Sequence, residues 1–212
     1  MEFADRREAG RALAGALSGW TGNPDVLVLA LPRGGVPVAW EVARALGAPL
    51  DVMVVRKLGY PGHEEYAMGA IASGGVRVMN EDPASLPVSE HAIAAAVTRE
   101  RVELERREQL YRAGRPAPVL RDRVLILVDD GLATGATMKA AVLAARAGDP
   151  RRIVVAVPVA SRQAAQIAGT VADELVCLHM PEHFRAVSVW YRDFNQTGDE
   201  EVCRLLGGRT DE

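Results

Sequence analysis

Three apolar runs of strand length set what this chain can fold into. They are VLVLALP at 26–32, VLILVDD at 124–130 and RRIVVAVPVA at 151–160. Neighbouring positions in each are apolar alike, so both faces of such a strand need burial. Strands of that kind belong in a parallel sheet covered by helices on each side. Helical spacing fills the intervals. Ala9, Leu13, Ala16 and Leu17 recur at helical period; 36–46 is closed by Gly47; 135–148, 161–170 and 199–207 follow the same rule. LDVMVVRKL at 50–58 reads as one further buried strand and ELVCLHM at 174–180 as the last.

The expected fold is therefore α/β, a doubly wound and mainly parallel sheet in one domain over 1–212. Residues 60–80 break the alternation. Turn signals at Pro61-Gly62 and Gly74-Gly75 predict a loop, then a small hairpin over about 68–79, then a connector over 82–89. Residues 89–114 read as one long helix with Ser89 as N-cap. Glu103 with Arg107, and Glu108 with Arg112, are favourable i,i+4 pairs on a solvated face.

Composition narrows the function. The 212 residues carry a net charge of −3, which speaks against a general nucleic-acid or anionic-membrane surface. No apolar run approaches the ~20 residues of a membrane span, and the opening MEFADRREAG has no apolar leader-like segment. The expectation is a cytoplasmic protein. Cys177 and Cys203 are too few and too far apart for a disulfide framework or a metal-ligand pattern, and are expected in the core. His179 and His183 likewise read as structural.

The chemistry concentrates at strand ends, where ligands sit in open parallel sheets. In VDDGLATGAT, at 128–137, Asp129 and Asp130 emerge from a buried strand. Adjacent carboxylates repel unless hydroxyls or a metal satisfy them. The small residues that follow open a helix, and backbone N–H groups at a helix N-terminus bind phosphate. Thr134 and Thr137 add hydroxyl donors. Together these features ask for vicinal hydroxyls beside a phosphate, as in ribose 5-phosphate. The Walker lysine and the G-x-G-x-x-G spacing are both absent. A second strand end carries LALPRGG at 29–35, where Arg33 offers a planar fork for phosphate oxygens and Gly34 and Gly35 allow close backbone approach. A third carries Arg56 and Lys57, followed by Gly59, Pro61 and Gly62.

The acidic pair followed by T-G-x-T resembles the ribose-phosphate signature of the type I phosphoribosyltransferases, and the order of strands and helices resembles that family over most of the chain. The resemblance implies a transferase that moves the 5-phosphoribosyl group from 5-phosphoribosyl 1-pyrophosphate to a nitrogenous base. Asp129 and Asp130 would hold the ribose hydroxyls and, with substrate, Mg²⁺. Ala133, Thr134, Gly135, Ala136 and Thr137 would hold the 5-phosphate. Arg33, Gly34, Gly35, Arg56 and Lys57 would face the pyrophosphate, and residues 57–80 would form a mobile lid. The family's acceptor-selecting hood would lie at 180–212, with Phe184, Trp190 and Tyr191 as acceptor-pocket candidates. This tail resembles that of a bacterial subgroup which also carries P-R-G-G and K-L-G. Family members acting on 6-oxopurines carry an acid where Ala133 stands, which weakens an oxopurine acceptor here. Partners are then small molecules, with a homodimer as a candidate assembly. Two alternatives stay open: a sensor that binds the same ligand without turnover, and a phosphate-ester hydrolase, for which no nucleophile is evident.

Overall fold

The computed structural model describes residues 2–79 and 88–207, leaving aside the side chains of 64–67. The chain runs α1 (Arg6–Ala16), β1 (Val26–Ala30), α2 (Gly35–Leu46), β2 (Leu50–Val52), β3 (Val55–Tyr60), β4 (His63–Ala72), β5 (Val76–Met79) and α3 (Glu90–Arg112). It continues through β6 (Val124–Val128), α4 (Ala136–Arg146), β7 (Arg152–Val159), α5 (Arg162–Val171), β8 (Glu174–His179) and α6 (Asp199–Leu206). Five parallel strands form the main sheet in the order β2-β1-β6-β7-β8. The expected doubly wound sheet is present.

Alternate strand residues feed two separate cores. Val26, Val28, Val124 and Ile126 face α1, α2, α3 and α6. Leu27, Leu29, Leu125 and Leu127 face α4 and α5. Every residue of β1 and β6 is buried, as the unbroken apolar runs require. No helix among the described residues is long and apolar enough to cross a membrane.

Helix ends follow the sequence closely. Ser89 caps α3 by accepting from the Ala92 N–H, Asp5 caps α1 by accepting from the Glu8 N–H, and Gly47 closes α2 in the left-handed region at φ +65. Arg106 and Arg107 both donate to Glu103 and hold its carboxyl down at about 2.

Three expectations need correction. The run at 50–58 is two strands, not one. The chain leaves the main sheet at Met53 and Val54, and Val54 N–H donates to Ser73 Oγ at 2.9 Å. The run carries no mark of such a departure, because the residues at the break, Val52 to Val54, are apolar and buried like those of a continuing strand. Second, residues 55–79 form an antiparallel sheet in the order β3-β4-β5. The expected hairpin over 68–79 is its β4-β5 half. The expected loop before it is largely strand: Tyr60 pairs with His63 across a two-residue turn, with Gly62 at φ +76. Third, both cysteines are half-buried, and burial raises both thiols above their usual range. The connector expected over 82–89 lies outside the described residues except for its last two.

One buried ion pair ties α3 to the sheet. Arg112 Nε donates to Asp51 Oδ1 at 3.1 Å and Nη2 to the Val52 carbonyl at 3.2 Å, and each side chain is about one-tenth exposed. Removing one partner of such a pair costs about 3–5 kcal/mol, since the other charge stays buried. Arg112→Leu is expected to destabilise the chain by that amount in urea unfolding. A loss of ~1 kcal/mol or less, the range of exposed pairs, would contradict this.

Candidate active site

β1 and β6 are neighbours, but the chain leaves them toward opposite faces. After β1 it passes into α2, which packs on one core; after β6 it passes into α4, which packs on the other. The order reverses here, which opens the crevice where doubly wound sheets bind ligands. Both glycine-bearing motifs sit at this crevice, in contact with each other. Leu31 N–H donates to the Val128 carbonyl at 2.9 Å. A Cβ on Gly34 would run into the Asp130 carboxylate, and one on Gly35 would lie 2.7 Å from the Val128 carbonyl oxygen. The glycines let the first loop lie flat against the second.

The two aspartates differ in their surroundings. The Asp130 N–H donates to Asp129 Oδ1 at 2.9 Å. Asp129 lines a cleft of about 190 Å³ together with Ala133, Thr134, Gly135 and Val187. Asp130 instead accepts from Arg6 Nε at 2.8 Å. Burial pushes both carboxyls above the ordinary range; the Asp130 charge adds to the effect at Asp129, and Arg6 opposes it at Asp130.

The loop that follows presents its N–H groups because its carbonyls are tied down. Ser161 Oγ donates to the Ala133 carbonyl at 2.7 Å and Ser161 N–H to that of Leu132 at 2.9 Å. Gly135 takes φ +78 at the N-cap of α4, with its Cβ position 3.2 Å from Ala164, so a side chain there meets both strain and crowding. Ala133, Thr134, Ala136 and Thr137 are exposed. The first-turn N–H groups of α4 have no partner within the helix. An anion would find a turn of donors and the positive end of the helix dipole.

The remaining candidates divide. Arg33 stands at the mouth of the first loop, 28% exposed, with Nη1 3.7 Å from Asp199 Oδ1 of α6. Arg56 and Lys57 are adjacent on β3 and point to opposite sides. Arg56 turns to α3, where Nη2 and Nε donate to Glu100 at 2.7 and 3.0 Å. Lys57 lines a cleft of about 230 Å³ with Thr134, Thr137 and Lys139, beside the phosphate-type loop. So the structure brings Lys57 to the loop and takes Arg56 away from it. No motif marks Lys139. Its signal is that Lys57 and Lys139 are the chain's two lysines and share one cleft.

In the tail, Tyr191 is buried, and its hydroxyl donates to the Asp130 carbonyl at 2.6 Å. Trp190 meets the His179 ring edge-on at 4.7 Å. Phe184 packs half-buried in the same cluster. Val187 closes over Gly131, where a Cβ would lie 2.6 Å from Val187 Cγ1, and it lines the same cleft as Asp129. Motif reading missed Val187 and Arg6, which are ordinary surface-type choices in sequence and gain meaning only from the fold. Among the described residues no group of three or more His, Cys, Asp or Glu is placed to hold a metal ion.

Residues 5–191 match the family model described as "Phosphoribosyl transferase domain". The chain belongs to the phosphoribosyltransferase family. Its strand order and flanking helices match the type I phosphoribosyltransferase fold. A family relative from Mycobacterium tuberculosis H37Rv, named "Putative phosphoribosyl transferase", is 50% identical over 206 residues, which cover 96% of this chain and 46% of the relative. The chain thus spans about half the length of the curated relatives it matches. The crystal structure of TT1426 from Thermus thermophilus is 44% identical, covers 100% of both chains and superposes with a TM-score of 0.86. A hypothetical protein of Neisseria gonorrhoeae, solved with bound ppGpp, shares the fold at 15% identity over 98% of each chain, with a TM-score of 0.51.

Proposed function

We propose that this phosphoribosyltransferase-family chain binds 5-phosphoribosyl 1-pyrophosphate at the β1–β6 crevice and transfers its phosphoribosyl group to a nitrogenous base. The observation that carries the reading is the placement of Asp129 beside the tethered 133–137 loop, in one cleft. Hydroxyl acceptors and phosphate donors stand together there, as a ribose 5-phosphate requires. The 33–35 loop lies against the same strand end and would take the pyrophosphate.

In the reaction the bond from the anomeric carbon to pyrophosphate oxygen breaks, a bond to the acceptor nitrogen forms, and the acceptor's N–H proton passes to the released pyrophosphate or to water. The developing positive charge on the ribosyl ring would be eased by the Asp129 carboxylate, and the leaving charge by Arg33 and Lys57. Asp129 and Asp130 offer the oxygen ligands that Mg²⁺ takes, and a cation would relieve their mutual repulsion. When bound with substrate, the ion supplies neutralisation of the leaving pyrophosphate.

A binding-only role has one observation in its favour. Among the described residues Asp129 is the one ionisable side chain lining the 190 Å³ cleft, and position 133 carries an alanine. Pyrophosphate release, assayed across purine, pyrimidine and pyridine bases, separates the two. Release with any base supports the transferase; tight donor binding with no release from any base supports the sensor.

Arg33 gives a test of orientation. A lost charge-assisted hydrogen bond costs about 1.5–3 kcal/mol, or roughly ten- to hundredfold in affinity. Arg33→Ala is expected to lose that much for pyrophosphate and less than about twofold for ribose 5-phosphate. Equal losses for both ligands would count against a pyrophosphate role.

A further inference from the structure

Asp130 is gripped from two sides by segments that come from opposite ends of the chain. Arg6, the first residue of α1, donates Nε–H to Asp130 Oδ2 at 2.8 Å, with the two side chains 11% and 14% exposed. The same guanidinium lies 3.8 Å from the Phe194 ring centroid, and its Nη1 donates to the Asn195 carbonyl at 2.7 Å. From the tail, Tyr191 donates to the Asp130 carbonyl at 2.6 Å.

The two segments are themselves stitched together. Phe3 N–H donates to the Trp190 carbonyl at 2.8 Å, Arg192 N–H to that of Phe3 at 2.9 Å, and Asp193 N–H to that of Ala4 at 2.9 Å. The Tyr191 ring packs between Phe3 and Phe194 at centroid distances of 5.7 and 5.0 Å. Side chain and main chain of one aspartate are therefore both held from outside its own loop. Among the described residues the hydrogen bond Asp129 accepts comes from the N–H of its neighbour. An arginine suits this place because its planar fork serves Asp130 and Asn195 at once while its face stacks on Phe194. A lysine keeps the charge that pairs with Asp130 but lacks the planar fork that serves both partners at once.

We infer that Arg6 is a positioning residue: with Tyr191 it locks Asp130 so that its other carboxylate oxygen is presented to the sugar hydroxyls, which couples the paired chain ends to donor-sugar recognition. This rests on the ribose-phosphate reading. The phosphate contacts lie on the 133–137 loop and stay independent of Arg6.

Calorimetry with two probes, ribose 5-phosphate and inorganic phosphate, tests it. Arg6→Met is expected to weaken ribose 5-phosphate binding by at least about tenfold, the loss of one charge-assisted hydrogen bond and its geometry. Phosphate affinity should stay within about twofold of wild type, since a bound phosphate touches only the loop. Arg6→Lys should recover part of the sugar-dependent loss. Tyr191→Phe removes one oxygen and keeps the ring packing, so it carries the test independently of any folding defect in the Arg6 variants. It should weaken ribose 5-phosphate binding severalfold and leave phosphate unchanged. Unchanged ribose 5-phosphate affinity in Arg6→Met or Tyr191→Phe overturns the inference, as does an equal loss for both probes. A wild-type chain that binds phosphate yet gains nothing from the sugar overturns the ribose-phosphate reading itself, and the inference with it.

Discussion

Asp129→Asn is expected to raise the melting temperature at pH 7 while weakening donor binding. Burial first, and the Asp130 charge second, lift the Asp129 carboxyl well above its ordinary range. A carboxyl raised in the folded state contributes stability below its unfolded pKa and loses it as pH rises through the folded value. At neutral pH the group is thus a net cost to the fold. Relieving that cost should therefore raise the melting temperature measurably. The amide oxygen can still accept from the Asp130 N–H, which keeps the local geometry. The gain should shrink as pH falls toward ~4, where the wild-type carboxyl is protonated in the folded state and increasingly so in the unfolded one. Asp130→Asn should show no such gain, because Arg6 would lose its counter-charge. For binding, two weakened hydroxyl contacts should cost about 3 kcal/mol, roughly a hundredfold. Calorimetric melting at two pH values and a donor titration read both effects. A lower melting temperature for Asp129→Asn at pH 7 would contradict the electrostatic account. Such a site trades stability for function.

Two adjacent alanine substitutions should separate stability from binding. In Gly35→Ala the new Cβ meets β6 itself, 2.7 Å from the Val128 carbonyl oxygen and 2.9 Å from Asp129 Cα. Neither atom can move without parting the sheet, so the cost should sit at the top of the overpacking range, about 3 kcal/mol or more. Gly34→Ala meets the Asp130 carboxylate and, at 3.3 Å, Arg6 Nε. Side chains can rotate away, and Gly34 already has helical angles that alanine adopts freely. Its stability loss should be smaller, about 1–2 kcal/mol, but Asp130 would leave its place and donor affinity should fall at least about tenfold. Urea unfolding and calorimetry on the two variants check the contrast. Similar stability losses, with donor binding intact in Gly34→Ala, would show that the two loops do not depend on one another.

The main sheet was legible in the sequence because its strands are buried on both faces, so VLVLA and VLILV carry an unbroken apolar signal. The loop chemistry was legible for a related reason: two acids at the end of such a run have no place in a core. What stayed hidden is relational. Nothing in LDVMVVRKL marks a change of sheet, since the residues at the break, Met53 and Val54, are apolar and buried. Arg56 and Lys57 are equivalent as text; strand pleating sends one to Glu100 and the other to the cleft beside Thr134 and Thr137. Tyr191 read as an acceptor-facing aromatic, yet its place depends on a partner, Phe3, at the other end of the chain. Arg6 sits in a run of charged residues that looks like any solvated helix start, and its importance follows from a contact across 124 positions.

The central claim is that the β1–β6 crevice holds a ribose phosphate between Asp129 and the 133–137 loop. A crystal structure of the protein soaked with ribose 5-phosphate tests it most directly. The account predicts the phosphate on the backbone N–H groups of 134–137 and the sugar hydroxyls on the carboxylates of Asp129 and Asp130. Ligand density in the lysine-lined cleft alone, or elsewhere with the 133–137 loop empty, would contradict it.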